Sequence, residues 1–215
     1  MGKRRTERGQ SLLELAVILP VLLILLMGLV EVGYALRDYL IVVNATREGC
    51  RFAARGRFDP EAVGARVVSA GGIVRVGNPL ADVPFLRTHG PLDSNTGIIV
   101  TYVPMDSAGD VNPISVTSYY SGVLPSGAGG ARAILPGDSK ISLAQIVERQ
   151  GPSTAAISAM REDAGYEKMG NHIVVVEVFF MHHPLWNSSF VPLPDPWMMH
   201  AQTEMRVVTD RGTLQ

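Results

Sequence analysis

The sequence predicts an α+β fold: one long N-terminal helix, half of it in lipid, packs by its outer half on a small antiparallel sheet with short extra helices. Three observations carry this. The run from Leu15 to Val30 contains no charge. Beyond it, apolar residues recur at helical spacing as far as residue 55. From Ile73 the pattern changes to strands and turns, with β-branched and aromatic runs at Gly97–Val103 and Ile114–Tyr120. At 215 residues the chain is long enough for one domain of ordinary size besides the helix.

The helix comes first. At 1.5 Å per residue, Ser11 to Leu36 spans roughly 39 Å, enough to cross a hydrocarbon core of about 30 Å with some tilt. Pro20 removes a backbone donor inside this run and is expected to loosen the helix near Ala16 to Pro20. Two acids interrupt the apolar surface. Glu31, near the far end, is placed to reach the headgroups, whereas Glu14 lies inside the apolar run and needs a partner or a function. Lys3, Arg4, Arg5 and Arg8 against Glu7 make the leader basic, although the net charge of the chain is −1. The positive-inside rule keeps such a leader cytoplasmic and exports the residues beyond the span. This divides the chain into a leader over 1–9, expected to have no fixed structure, a membrane helix over 10–36 and an exported domain over 37–215. A secretory signal peptide is the competing reading, but its apolar core runs about 7–15 residues and this one is longer.

The helix is expected to continue over 37–55 as the spine of the exported domain, giving roughly 68 Å over residues 11–55. Leu36, Tyr39, Leu40, Val43, Cys50, Ala53 and Ala54 fall on one stripe, predicted to face the sheet. Asn44, Glu48, Arg51 and Arg55 fall opposite. Gly56 is placed to end the helix.

The N-terminal residues also carry a resemblance. Arg8-Gly9-Gln10-Ser11 with Glu14, the Leu19-Pro20 step, Gly28 with Glu31 and Gly33, and Ala45-Thr46-Arg47-Glu48-Gly49 look like the TadE-like family of pseudopilins from tight-adherence (Tad/Flp) pilus systems. The resemblance covers Arg8 to Gly56, about a quarter of the chain, and departs at Cys50, where the family usually has a small residue such as alanine. It implies a pilin-like fold. It also implies cleavage by a prepilin peptidase between Gly9 and Gln10, and an assembly role for Glu14 once Gln10 is the new N-terminus. The implied partners are the peptidase, other pseudopilins, the Flp pilin, the inner-membrane platform and membrane lipid. The alternative is an unprocessed single-pass anchor bearing a periplasmic or extracellular binding domain.

In the exported domain, Asp59-Pro60-Glu61 reads as a helix start, with Val63, Val67 and Ala70 as its apolar face and Gly71-Gly72 as its end. From Ile73 strands and turns are expected. Gly97–Val103 and Ile114–Tyr120 look like a hairpin around a turn-rich segment, and Ser121 to Gly130 reads as a loop. Ser142 is a candidate cap for a short helix to Gln150. Gly151-Pro152-Ser153 is expected to break it and to cap a second helix from Thr154 to about Ala164, stopped by Gly165. His172–Phe180 is apolar on both faces and is expected to be central, with Gln202–Thr209 beside it.

No catalytic set emerges, so the expectation is a chain that is not an enzyme and takes no cofactor. Asp106, Asp110 and Asn112 lack EF-hand spacing, His182-His183 with a distant His200 is not a ligand pattern, and no metal is expected. Basic and aromatic residues do not interleave into a nucleic-acid stripe. A single cysteine cannot make an intrachain disulfide, and Cys50 reads as a small buried helix residue rather than a reactive one. The proline-rich loop between the last two strands carries Trp186, Phe190, Trp197 and Met198. It is expected either to fold over the sheet or to meet a partner.

Overall fold

The computed structural model describes residues 4–55, 59–71, 96–126, 130–168, 170–182, 184 and 197–207. The arrangement is the expected α+β one, with a long apolar N-terminal helix and a small antiparallel sheet. Helix α1 runs from Arg4 to Ala54, 51 residues, about 77 Å at 1.5 Å per residue. It thus starts inside the leader that was expected to have no fixed structure. Once a helix is nucleated in the apolar run, propagation through Arg, Thr and Glu costs little, and Gly9 alone opposes it by about 1 kcal/mol. The helix also continues through Pro20. Gly56, the expected terminator, and the strands expected from Ile73 to residue 95 lie outside the described residues.

The outer half of α1 packs on the sheet, but not by the predicted stripe. Leu36, Tyr39 and Leu40 are exposed, at 57%, 44% and 52%. The buried face consists of Glu31, Asp38, Val42, Ala45, Thr46, Cys50 and Ala53. Of the predicted stripe, Cys50 and Ala53 are buried, Val43 and Ala54 are half-buried, and Leu36, Tyr39 and Leu40 stay exposed, the first two beside the sheet rather than packed under it. The stripe rests on apolar residues facing inward, and here the apolar surface of the exposed N-terminal half instead continues along the outside of α1 as far as Leu40. On the opposite face Asn44, Arg51 and Arg55 are exposed as expected, while Glu48 accepts a 2.7 Å hydrogen bond from Arg66.

Helix α2, Pro60–Gly71, begins where Asp59 Oδ1 accepts from the Glu61 backbone N–H at 3.1 Å. It buries Val63 and Val67 but leaves Ala70 exposed. Its close approach to α1 depends on Gly49, because a Cβ there would meet Val67 Cγ2 at 2.4 Å.

The strands are β1 (Thr96–Met105), β2 (Thr117–Ser126), β3 (Gly130–Ala133), β4 (Asn171–His182) and β5 (Trp197–Arg206). They form one antiparallel sheet in the order β3-β2-β1-β4-β5. The expected hairpin is β1–β2, although Ile114 sits in a short 3-10 turn capped by Asn112 rather than in the strand. The stretch expected to be a loop from Ser121 to Gly130 instead carries β2 on to Ser126, and β3 starts at Gly130. Gly122 makes this continuation workable. It has φ +90°, and a Cβ on it would lie 2.0 Å from the Thr96 carbonyl oxygen. Similarly β4 extends two residues past Phe180, and β5 starts at Trp197 rather than at Gln202.

Side chains alternate across β4. Val174, Val176, Val178 and Phe180 join α1 and α2 in the larger core, and Ile173, Val175 and Phe179 fill two smaller clusters on the other face. Helix α3, Leu143–Asp163, covers part of that second face through Ile146. Ser142 caps it, accepting from Gln145 N–H, and Gly165, at φ +78°, follows its end. The expected break at Gly151-Pro152-Ser153 is absent, so α3 is one helix. The Ser153 and Thr154 hydroxyls both donate to the Gln150 carbonyl at 2.9 Å, adding to the ladder where proline weakens it. Gly151 meanwhile lets the β1–β2 turn lie close, since a Cβ there would stand 2.8 Å from the Gly109 carbonyl oxygen.

Candidate functional site

The expected processing site lies at the start of α1. The Gly9–Gln10 bond is inside the helix, and one turn later Gln10 Nε2 donates to Glu14 Oε1 at 3.4 Å, on an exposed face. From Leu12 to Leu26 every residue is exposed, so this length of helix has no packing partner among the described residues. It is long and apolar enough to cross a membrane. Beyond it an apolar ridge of Leu29, Val32, Leu36 and Leu40, exposed at 71%, 67%, 57% and 52%, continues along the exposed surface of α1.

The inner side at the same level is polar and buried. Glu31 and Asp38 stand seven residues apart, two turns of one face, and both reach the ring of His182 at the end of β4. His182 Nδ1 lies 2.8 Å from Asp38 Oδ2 and Nε2 lies 3.3 Å from Glu31 Oε1. The three side chains are 1%, 4% and 8% exposed, in the order His182, Asp38 and Glu31. Burial pulls the imidazole toward its neutral form, but the hydrogen bonds and negative charges of Asp38 and Glu31 outweigh it and hold the His182 pKa above its usual value. Glu31 therefore does not reach for headgroups as its position suggested; it turns into the protein.

Beside this cluster opens an apolar groove of about 450 Å³. Val32, Leu36 and Tyr39 form its helix wall, and Trp197 and Met199 form its sheet wall. Of the aromatic residues expected to meet a partner or fold over the sheet, Trp197 is half exposed at the rim of this groove. Met198, the next residue on β5, is 41% exposed. Trp186 and Phe190 lie outside the described residues.

A third buried acid, Glu177, sits on the far face of β4. It accepts from Ser139 Oγ at 2.6 Å, from Lys140 N–H at 2.8 Å and from His200 Nε2 at 3.3 Å. These bonds tie the segment before α3 to the sheet, and no face of the residue is open to a ligand. Cys50 is buried, donates to the Thr203 carbonyl at 2.9 Å, and has its thiol pushed up to about 12 by burial. In the acidic turn, Asp106 Oδ1 accepts from the Ala108 and Asp110 backbone N–H groups, each at 2.9 Å. That carboxylate is thus used to shape the turn.

Reading the sequence alone missed Asp38 and the role of His182. The available signal was two acids seven residues apart on one face of an otherwise apolar helix, with a histidine at the end of the strongest strand. The other motif residues find local reasons. Thr46 donates to the Val43 carbonyl and receives a 3.1 Å bond from Thr203 Oγ1, Gly49 lets α2 and β4 approach α1, and Ala45 is buried in the larger core. Gly28 and Gly33 have nothing within 4 Å of a notional Cβ.

Residues 9–51 match the family model of TadE-like proteins, the family that the N-terminal motif resembles. The match takes in the apolar helix, Glu14, Glu31 and Asp38, about a fifth of the chain, and stops before α2 and the sheet. No curated protein and no solved structure matches the chain.

Proposed function

We propose that this chain is a TadE-like minor pseudopilin, a structural component of a Tad (Flp) type pilus, anchored by α1 with its N-terminus in the cytoplasm and its sheet domain exported. The family match over residues 9–51 carries the reading, and it points to a Tad pilus-associated component. Two features of α1 support the finer role. Its apolar surface is exposed through the span and then along the ridge to Leu40, which suits a helix that packs against helices of other subunits. Glu14 is an acid on an otherwise apolar surface, four residues from Gln10, and needs a cationic partner in lipid.

In this reading a prepilin peptidase cuts between Gly9 and Gln10, and the ammonium of Gln10 on a neighbouring subunit meets Glu14. The further partners are other pseudopilins, the Flp pilin, the inner-membrane platform and membrane lipid. The chain is structural, with no catalytic role and no cofactor. The unprocessed anchor with a binding domain remains the second reading, favoured by one observation: α1 runs unbroken through Gly9, so a peptidase has to unwind its first turns. Mass spectrometry of the membrane-extracted protein, from cells expressing the peptidase, separates the two. A chain beginning at Gln10 supports the pseudopilin; one retaining Met1 to Gly9 overturns it.

A further inference from the structure

We propose that the base of the sheet domain, where the start of β5 faces α1, is a lipid-contacting surface: it seats in the outer interfacial layer of the bilayer and takes phospholipid acyl chains into the apolar groove. The inference rests on the reading of α1 as a membrane anchor, and adds to it the level at which the membrane ends on this molecule.

A reversal along α1 carries it. Over residues 29–40 the helix exposes Leu29, Val32, Leu36 and Leu40, while the acids Glu31 and Asp38 are buried, at 6% and 3% exposure. From residue 42 the order is the ordinary one for water: Val42, Ala45 and Ala53 are buried, and Arg47, Arg51 and Arg55 are exposed. A helix that shows leucines outward and hides its carboxylates suits a hydrocarbon surrounding, and one that shows arginines suits water. The change between Leu40 and Val42 thus marks where lipid gives way to water.

Length agrees. The exposed apolar surface starts at Leu12 and runs to Leu40, about 42 Å of helix at 1.5 Å per residue. A hydrocarbon core of about 30 Å, crossed at the usual tilt of about 20°, takes up roughly 32 Å of it. The rest, roughly 10 Å over residues 33–40, falls in the interfacial layer that brings a whole bilayer to about 40–45 Å. The sheet descends to that level. Trp197 and Met199 face Val32, Leu36 and Tyr39 across the groove of about 450 Å³, and Trp197 and Met198 are 47% and 41% exposed. Tryptophan and tyrosine suit this depth because each has an apolar ring and a polar tip, and exposed Arg37 has a stem long enough to lift its guanidinium to the phosphates.

The test uses the full chain, whose two tryptophans are Trp186 and Trp197. With Trp186→Phe, Trp197 is the sole indole emitter. With both replaced by Phe, Leu22→Trp reports the span, and Ile114→Trp, at a position 92% exposed beside the other end of β2, reports the far end of the domain. Each chain is reconstituted in phosphatidylcholine vesicles, either plain or brominated near the head or near the tail of the acyl chains. Trp197 should lose roughly half its emission to the head-proximal bromines and less to the others. Leu22→Trp should show the reverse order, and Ile114→Trp should respond to neither. An unquenched Trp197 beside a quenched Leu22→Trp overturns the lipid contact and leaves the anchor standing; if that Trp197 is also shielded from aqueous iodide, protein fills the groove, from this chain or a second copy. An unquenched Leu22→Trp overturns the anchor, and the lipid contact with it. Photolysis of the unsubstituted chain in vesicles of diazirine-bearing phosphatidylcholine needs no variant: lipid adducts at residues 197–199 are expected, and adducts confined to α1 below residue 32 count against the contact.

Discussion

The orientation of α1 can be tested with two neighbouring substitutions whose effects differ by several kcal/mol. Val42 is 2% exposed and packs in the core that α1 shares with the sheet, whereas Leu40 is 52% exposed on the outer ridge. Val42→Asp gives up about 1.5–3 kcal/mol of apolar burial. It also places a carboxylate in a cluster whose described members are apolar, costing a further several kcal/mol whether the group stays charged or takes a proton. The total, on the order of 5 kcal/mol or more, is comparable to the whole stability of a typical domain, roughly 5–15 kcal/mol. Leu40→Asp loses helix propensity of about 0.7 kcal/mol at most and a fraction of one side chain's burial, together about 1 kcal/mol. Thermolysin digestion of the detergent-extracted chain over a temperature series reads both. Val42→Asp should be cleaved within the sheet domain at ambient temperature, and Leu40→Asp should follow wild type closely. Equal sensitivity of the two variants, or greater sensitivity of Leu40→Asp, would refute the orientation.

Gly9→Val should leave the uncut precursor in the membrane, because a branched side chain obstructs approach to the scissile backbone; a variant chain still beginning at Gln10 would misplace the cleavage site. Glu14→Leu should insert, fold and be cut as wild type, yet crosslink poorly to its pilus partners, with Glu14→Asp intermediate; undiminished crosslinking of Glu14→Leu counts against an assembly role. Cys50, buried and with its thiol pushed up to about 12, should resist a maleimide at pH 8 in the native chain and react in full once denatured. Rapid labelling of the folded chain would show that the Thr203 contact does not hold.

Much of the fold could be read from residue pattern. The β1–β2 hairpin, the inner position of β4, the Asp59 cap of α2 and the stop at Gly165 follow from alternation, two-faced apolarity, a side-chain acceptor before proline and a glycine that accepts φ +78°. The misreadings have two physical sources. At Pro152 local propensity argued for a break, but packing of α3 on the sheet and the hydroxyls of Ser153 and Thr154 hold the helix together. Between Leu36 and Leu40 the hydrophobic-face rule pointed the wrong way, since the exposed apolar surface of the preceding helix continues there and the buried face is polar, with Glu31 and Asp38. The buried acid–histidine cluster was not legible. Glu14 and Gly9 stand out in one dimension, whereas Asp38 and His182 are 144 residues apart and become a unit only when β4 ends against α1.

The way α1 joins the sheet bears on how the molecule carries load. From Val42 to Ala53, about 18 Å of helix, α1 lies against β4 and β5 instead of stopping at the margin of the domain. A pull along the anchor is thus shared among many contacts resisting together in shear, where a helix attached by its tip would peel away one contact at a time. Helix α1 should accordingly part from the sheet only when this whole length of contact gives way at once.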